Sequence, residues 1–231
     1  MAELRTVRHK GQSPARCLGL AALLGFYALG TVLLGVLYSF PFFFALYGFG
    51  VFFFFLAYYR RLLGLPTLTS GRSARWIVGI TPVACFVLVL AVLRNLADLE
   101  VRDSLALQAA FLIAWGAVMI WVHVLGSLIG LEPLEHGVEA RNPVAVWAGV
   151  GLMLGATLAT AGANIGQGPT VATTLGPMFL AVGGLMTLWA TFCLVTGCVA
   201  AVTVDRDLPS GLRMAALPVA LGLVPIPLNQ Q

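Results

Sequence analysis

Apolar residues run through this chain in blocks as long as a bilayer is thick, separated by short polar corners. A hydrocarbon layer of roughly 30 Å needs about 20 apolar residues in a helix. Within it, only helices and closed barrels satisfy every backbone group. The run from Cys17 to Tyr59 is almost uninterrupted and, at about 1.5 Å per residue, twice too long for one crossing. It must therefore turn, and Ser39-Phe40-Pro41 is its corner. The pattern predicts spans near 18–38, 42–59, 76–93, 105–130, 143–163, 175–200 and 214–228. Pro218, Pro225 and Pro227 make the last span short and irregular, as in a tilted or re-entrant segment. The expected fold is an all-α integral membrane protein of about seven transmembrane helices. Residues 1–16 are expected to form a basic cytoplasmic arm, and residues 17–231 a single polytopic domain.

After the first span, three similar hairpins follow, at about 42–93, 105–163 and 175–228. Each returning helix opens on a comparable signal: Ser70-Gly71, Arg141-Asn142-Pro143 and Pro209-Ser210-Gly211. Ser and Asn satisfy free N–H groups at helix starts, and Pro fits the first turn. Gly71, Asn142 and Gly211 stand 71 and 69 residues apart, so an internal repeat is expected, of a kind common in transporter-like membrane folds.

Composition sharpens this reading. Of the 231 residues, 60% are hydrophobic and 10% charged, against about 25% charged in soluble domains. That is too little charge for a water-facing shell. The net charge of +4 does not indicate nucleic acid, because the basic residues cluster at the ends of apolar spans. With the N-terminus in the cytoplasm, Arg5, Arg8, Lys10, Arg16, Arg60, Arg61, Arg72, Arg75, Arg141, Arg206 and Arg213 lie inside, and only Arg94 and Arg102 outside. Eleven against two fixes the expected orientation by the positive-inside rule and places the C-terminus outside. The basic start followed by an apolar run resembles a signal peptide, but the run outlasts an h-region and is expected to stay as the first span. Cys17, Cys85, Cys193 and Cys198 form no CxxC pair and are expected to be free thiols.

The residues 139–151, Glu-Ala-Arg-Asn-Pro-Val-Ala-Val-Trp-Ala-Gly-Val-Gly, resemble the start of a returning helix in a bacterial inner-membrane family catalogued as domain of unknown function 350. So do residues 205–216, Asp-Arg-Asp-Leu-Pro-Ser-Gly-Leu-Arg-Met-Ala-Ala, one repeat later. The resemblance covers about residues 107–225 and implies a protein of the bacterial inner membrane. It brings no established catalytic residues. The chain departs from the family's four-span pattern by about three extra N-terminal spans.

Polar residues that could carry chemistry are few. Glu132, Glu135, His136 and Glu139 would share one helical face, and carboxylates with His are common metal ligands. Pro133 and Gly137 weaken that helix, so a solvated loop is the plainer expectation. Arg141 and Asn142 close the same loop. His123 lies inside a span, where an ionisable side chain is a functional candidate by default. It has no acidic partner within its span, which favours a structural, hydrogen-bonded His. Asn164 and Gln167 flank glycines in an uncharged linker, either a tight turn or a pore mouth. Gly151, Gly155, Ala159 and Ala163 form a small-residue ridge for close helix packing, between repeats or in a homo-oligomer. Trp76, Trp147, Tyr58 and Tyr59 read as an interfacial aromatic belt, and the Phe-rich stretches 40–44 and 52–55 as lipid-facing bulk. No catalytic residue, metal or cofactor is expected, and the expected partners are the lipid bilayer and copies of the chain. The leading expectation is a non-enzymatic structural or channel-like component. The alternative is a small-solute or ion transporter, and a metal-dependent membrane enzyme using the Glu132–Glu139 cluster ranks third.

Overall fold

The computed structural model describes residues 41–65, 72–165 and 171–224, all helix and connecting turn with no strand among them. The predicted basic arm, the first span and the 39–40 corner lie outside the described residues. In chain order the helices are α1 (Pro41–Gly64), α2 (Arg72–Asn95), α3 (Leu99–Asp103), α4 (Leu105–Ile129), a π-helical turn (Pro133–Glu139), α5 (Pro143–Ala163), α6 (Val171–Thr196), α7 (Cys198–Thr203) and α8 (Leu208–Leu223). Four stretches are long and apolar enough to cross a membrane: Ser73–Asn95, Leu105–Ile129, Pro143–Ala163 and Gly176–Thr196. The sixteen-residue α8 is a shorter apolar helix.

The centre of the molecule is α5. Of its spanning window, 83% is buried, against 33–50% for the other three. Its sequence explains the position, because Ala and Gly let neighbouring backbones approach closely where lipid supplies no hydrophobic drive between helices. The closest neighbour is α8. A Cβ on Gly151 would stand 2.6 Å from the Ala215 Cβ and nearer still to its backbone. On Gly155 it would stand 2.8 Å from the Pro218 Cβ and overlap the Pro218 carbonyl. Both distances fall well inside the roughly 3.5–4.0 Å of carbon contact. Gly151, Gly155, Ala159 and Ala163 are all buried within the chain, so the expected ridge is spent on α8 and the rest of the bundle rather than on a second copy. The main core gathers Leu93, Met119, Leu152, Met153, Trp189 and Met214 around α5.

Prolines inside α2 and α8 each remove one backbone N–H, which orphans the carbonyl four residues earlier. In a lipid-facing bundle such a group must find another donor. Pro82 orphans Val78, and the Tyr58 hydroxyl donates to the Val78 carbonyl at 3.0 Å. Pro218 orphans Met214, and the Trp189 indole N–H donates to the Met214 carbonyl at 3.2 Å. Tyr59 donates next door to the Gly79 carbonyl, at 2.9 Å. Tyr58 is therefore core, 5% exposed, and not a belt residue. Trp76 and Trp147 are exposed. Of the Phe-rich stretch, Phe52 and Phe53 face outward, whereas Phe54 and Phe55 stack on Tyr58 and Trp115.

Two polar elbows share a local plan. α4 ends at Gly130 (φ 89°) and α6 at Gly197 (φ 65°), so the predicted span to Ala200 breaks three residues early. Each glycine leads into a short helical turn. Each turn then reaches an arginine of positive φ, Arg141 (52°) or Arg206 (56°), followed by an N-cap, Asn142 or Asp207. A proline stands in the first turn of the helix after each cap, Pro143 in first place and Pro209 in second. The cap equivalent to Asn142 is thus Asp207, four residues upstream of Gly211. The elbows are also tied together. Asn142 Nδ2 donates to the Val202 carbonyl at 2.6 Å, and the Arg206 guanidinium donates to the Ala140 carbonyl at 3.0 Å.

Candidate functional site

The loop expected after α4 is an ordered π-helical turn. Its i→i+5 bonds run from Ala140 N–H to the Glu135 carbonyl (2.9 Å) and from Asn142 N–H to Gly137 (3.1 Å). Leu134, Gly137 and Val138 are buried against α5. Gly137 and Gly149 make this fit possible, since a Cβ on Gly137 would lie 2.6 Å from Val146 Cγ2 and one on Gly149 2.9 Å from the Pro133 Cβ. The turn is therefore a packed element rather than a solvated loop. The wide π winding also undoes the α-helical face proposed for Glu132, Glu135, His136 and Glu139. Glu135 is exposed. His136 Nδ1 accepts from the Glu132 backbone N–H at 3.1 Å, which helps close the turn. Glu132 and Glu139 both reach Arg61 at the end of α1, at 3.6 and 3.7 Å.

Between α1, α4 and this turn lies a cavity of about 270 Å³ lined by Phe54, Tyr58, Arg61, His123, Ser127 and Glu132, with Ala57, Val124, Pro133 and Leu134. His123 sits six residues before the end of α4, about 9 Å from it along the axis. Its ring packs edge-on against Phe54 (centroids 5.3 Å apart) and Tyr58 (5.0 Å). Nδ1 lies 3.1 Å from the Met119 carbonyl, which can only accept, so this nitrogen carries the proton. Nε2 is buried and has no hydrogen-bond partner among the described residues. A small second cavity touches the same His123 from the α5 side, with Gly126, Leu131 and Met153 in its lining.

His123 and Glu132 thus meet at one place although their own helices give His123 no acidic neighbour. The other candidates scatter. Asn142 is a buried N-cap whose Oδ1 accepts from Val144 and Ala145 N–H at 3.0 and 3.3 Å. Arg141 is exposed. Asn164 caps the opposite end of α5, about 30 Å from Asn142. Its Nδ2 donates to Thr160 at 2.6 Å, while its buried Oδ1 lacks a partner among the described residues. Gln167 lies outside the described residues. Among the described residues no three His, Cys, Asp or Glu side chains gather as a metal-ligand set, and Cys85, Cys193 and Cys198 are free thiols. At the second elbow, Asp207 accepts from Ser210 N–H at 3.0 Å. Hydrogen bonds from the Ser210 side chain and backbone, with Arg213 nearby, hold this carboxyl below the ordinary carboxylate range.

Sequence reasoning singled out His123 and Glu132 but missed Phe54, Tyr58 and Arg61. Their signal was present: positions 54, 58 and 61 follow the i, i+4, i+7 spacing of one helical face, and Ser127 follows His123 at i+4.

Length and apolarity define the class, a helical membrane protein with four candidate membrane-spanning helices among the described residues. Comparisons with protein-family models, with curated proteins and with solved structures find no match to this chain.

Proposed function

We propose that this chain is a multi-pass protein of a bacterial inner membrane that binds a small solute between α1 and α4, as a carrier does. The observation that carries the reading is the His123 cavity. His123, an ionisable ring whose buried Nε2 has no partner among the described residues, is one of the residues lining a space with aromatic groups in its wall and charge at its border. Such a site has the makeup of a ligand pocket, mostly apolar with few convergent polar groups. It moves the carrier reading ahead of the structural one, whose small-residue ridge is consumed inside the chain.

In this proposal α1, α8 and the predicted first span complete seven crossings, with the N-terminus and both elbows in the cytoplasm. The elbow hairpins α4–α5 and α6–α8 are copies of one unit. The shared sequence of αL glycine, short turn, αL arginine, Asx cap and proline supports that view. The same segments carry the resemblance to domain of unknown function 350, which remains part of the proposal.

The test is a thermal-shift screen of small solutes against purified protein and a His123→Phe variant. A ligand at 100 times its Kd adds about 2.7 kcal/mol to stability. Solutes that raise the Tm of the native chain by several degrees, and the variant's hardly at all, are the expected result. Identical profiles for the two proteins across the set would remove the reading.

A second reading, a channel-like or structural homo-oligomer, is favoured by one observation. Gly183 and Gly184 of α6 have no heavy atom within 4 Å of an added Cβ, which leaves a small-residue surface free. Native mass spectrometry of Gly184→Leu tests it. A loss of oligomer supports this reading, and an unchanged monomer counts against it.

A further inference from the structure

We infer that the His123 cavity takes uncharged molecules of one aromatic ring and a short substituent, held by ring contacts and not by charge. This rests on the solute-binding reading above and names its substrate class.

The polar groups of the lining come first, because they are already engaged within the chain or closed off. The Tyr58 hydroxyl donates to the Val78 carbonyl, and His123 Nδ1 to the Met119 carbonyl. His123 Nε2 is enclosed by protein atoms, so His123 lends the cavity ring surface and no lone pair. Ser127 also has a partner inside the chain. Arg61 and Glu132, one charge of each sign, balance one another at 3.6 Å on the border. Neither a cation nor an anion meets an excess of opposite charge there, and either would give up water for groups already paired. An uncharged guest gives up little. What remains of the wall is apolar and aromatic. Phe54 and Tyr58 share it with His123, whose ring meets theirs edge-on at 5.3 and 5.0 Å between centroids. A guest ring can stack on such rings or meet them edge-to-face, at about 4.5–7 Å, and a saturated ring gains only apolar contact. Volume sets the size, since a cavity of about 150 Å³ holds benzene. The 270 Å³ here has room for that ring and a short substituent, and falls under the roughly 300–1,000 Å³ of pockets for drug-sized molecules.

Fluorine NMR of para-fluorotoluene, para-fluorobenzylamine and para-fluorobenzoate, each added to the full chain in lipid nanodiscs, separates the possibilities. A bound para-fluorotoluene resonance, absent from protein-free nanodiscs, is expected, and none from the two ions. Unlabelled toluene is expected to displace that probe at a concentration about two- to tenfold lower than methylcyclohexane, the scale of one aromatic contact. Phe54→Leu should weaken the probe by a similar factor. Ala57→Phe, which fills the cavity from an exposed position, should abolish the signal. Size-exclusion profiles and helical circular dichroism identify any variant that fails to fold, and the probe and displacement comparisons on the native chain stand without the variants. Equal binding of either ion overturns the choice of an uncharged guest while leaving the pocket. Equal displacement by methylcyclohexane overturns the aromatic assignment and leaves a site for any apolar chain, lipid acyl groups included. A resonance that persists in folded Ala57→Phe comes from a probe bound elsewhere and overturns the inference. If no probe binds, the inference falls, and the thermal-shift screen then decides whether the pocket reading falls with it.

Discussion

Removing the Tyr58 hydroxyl tests whether a side chain replaces the backbone donor that Pro82 lacks. Tyr58 is 5% exposed, its hydroxyl stands 3.0 Å from the Val78 carbonyl, and Val78 is 1% exposed. In Tyr58→Phe the carbonyl loses its donor in a place water does not reach. An unsatisfied buried group costs about 1–3 kcal/mol. Couplings between polar groups in membrane helices average about 0.6 and reach about 1.7 kcal/mol, so a cost of about 1–2 kcal/mol is expected. The decisive comparison is a double-mutant cycle with Pro82→Ala. Alanine supplies an N–H four residues beyond Val78, and the helix can then satisfy the carbonyl itself. In that background Tyr58→Phe should cost less than about 0.5 kcal/mol, a coupling of about 1 kcal/mol between residues of two different helices. Equilibrium unfolding of the four proteins in mixed micelles measures it. Equal costs in the two backgrounds would refute the reasoning and reduce the Tyr58 contact to ordinary packing.

Other expectations follow from the same packing and capping. Gly155→Ala should destabilise by about 1–3 kcal/mol through overlap with Pro218, whereas Gly183→Ala, with open space around it, should be neutral or gain up to about 1 kcal/mol of helix propensity. Thermal unfolding of the pair checks this, and similar shifts for both would contradict the α5–α8 packing. Asn142→Ala removes the α5 cap and the donor to Val202, a loss of about 2–4 kcal/mol; Asn142→Ser, which keeps a capping oxygen, should lose less. Asp207 has a folded pKa depressed by Ser210, so its contribution is present above the unfolded value near 3.8 and fades as pH falls through the lower folded value. Stability measured from pH 6 down to about 2 should therefore show an acid-side loss that Asp207→Asn reduces, and an unchanged profile would dismiss the cap.

Much of the architecture was legible because a bilayer makes strict local demands. Every span must hold about 20 apolar residues and satisfy its own backbone, so run length alone located α2, α4, α5 and α6 to within a few residues. Capping is equally local. Asn142-Pro143 announced the start of α5, and that helix begins at Pro143. Less of the site could be read. His123 stood out as an ionisable group in an apolar run, but Arg61 looked like one more positive charge and Tyr58 like a belt residue. Their roles depend on Glu132 and Val78, residues 71 and 20 positions away in sequence.

By itself, then, the sequence determined the all-helical character, the placement of the four spanning helices and the polar corners, since each follows from bonds within one segment. Tertiary structure alone decided that α5 is central, that the 133–139 turn is wound as a π-helix against it, and that His123 and Glu132 share a cavity. The reason lies in the solvent. In water an apolar stripe betrays the buried face of a helix, but hydrocarbon leaves spans apolar on every side. Which face meets which is then settled by close approaches at small residues and by a few long-range polar contacts; the ridge of Gly151, Gly155, Ala159 and Ala163 is visible in the chain, but the helix it meets is not.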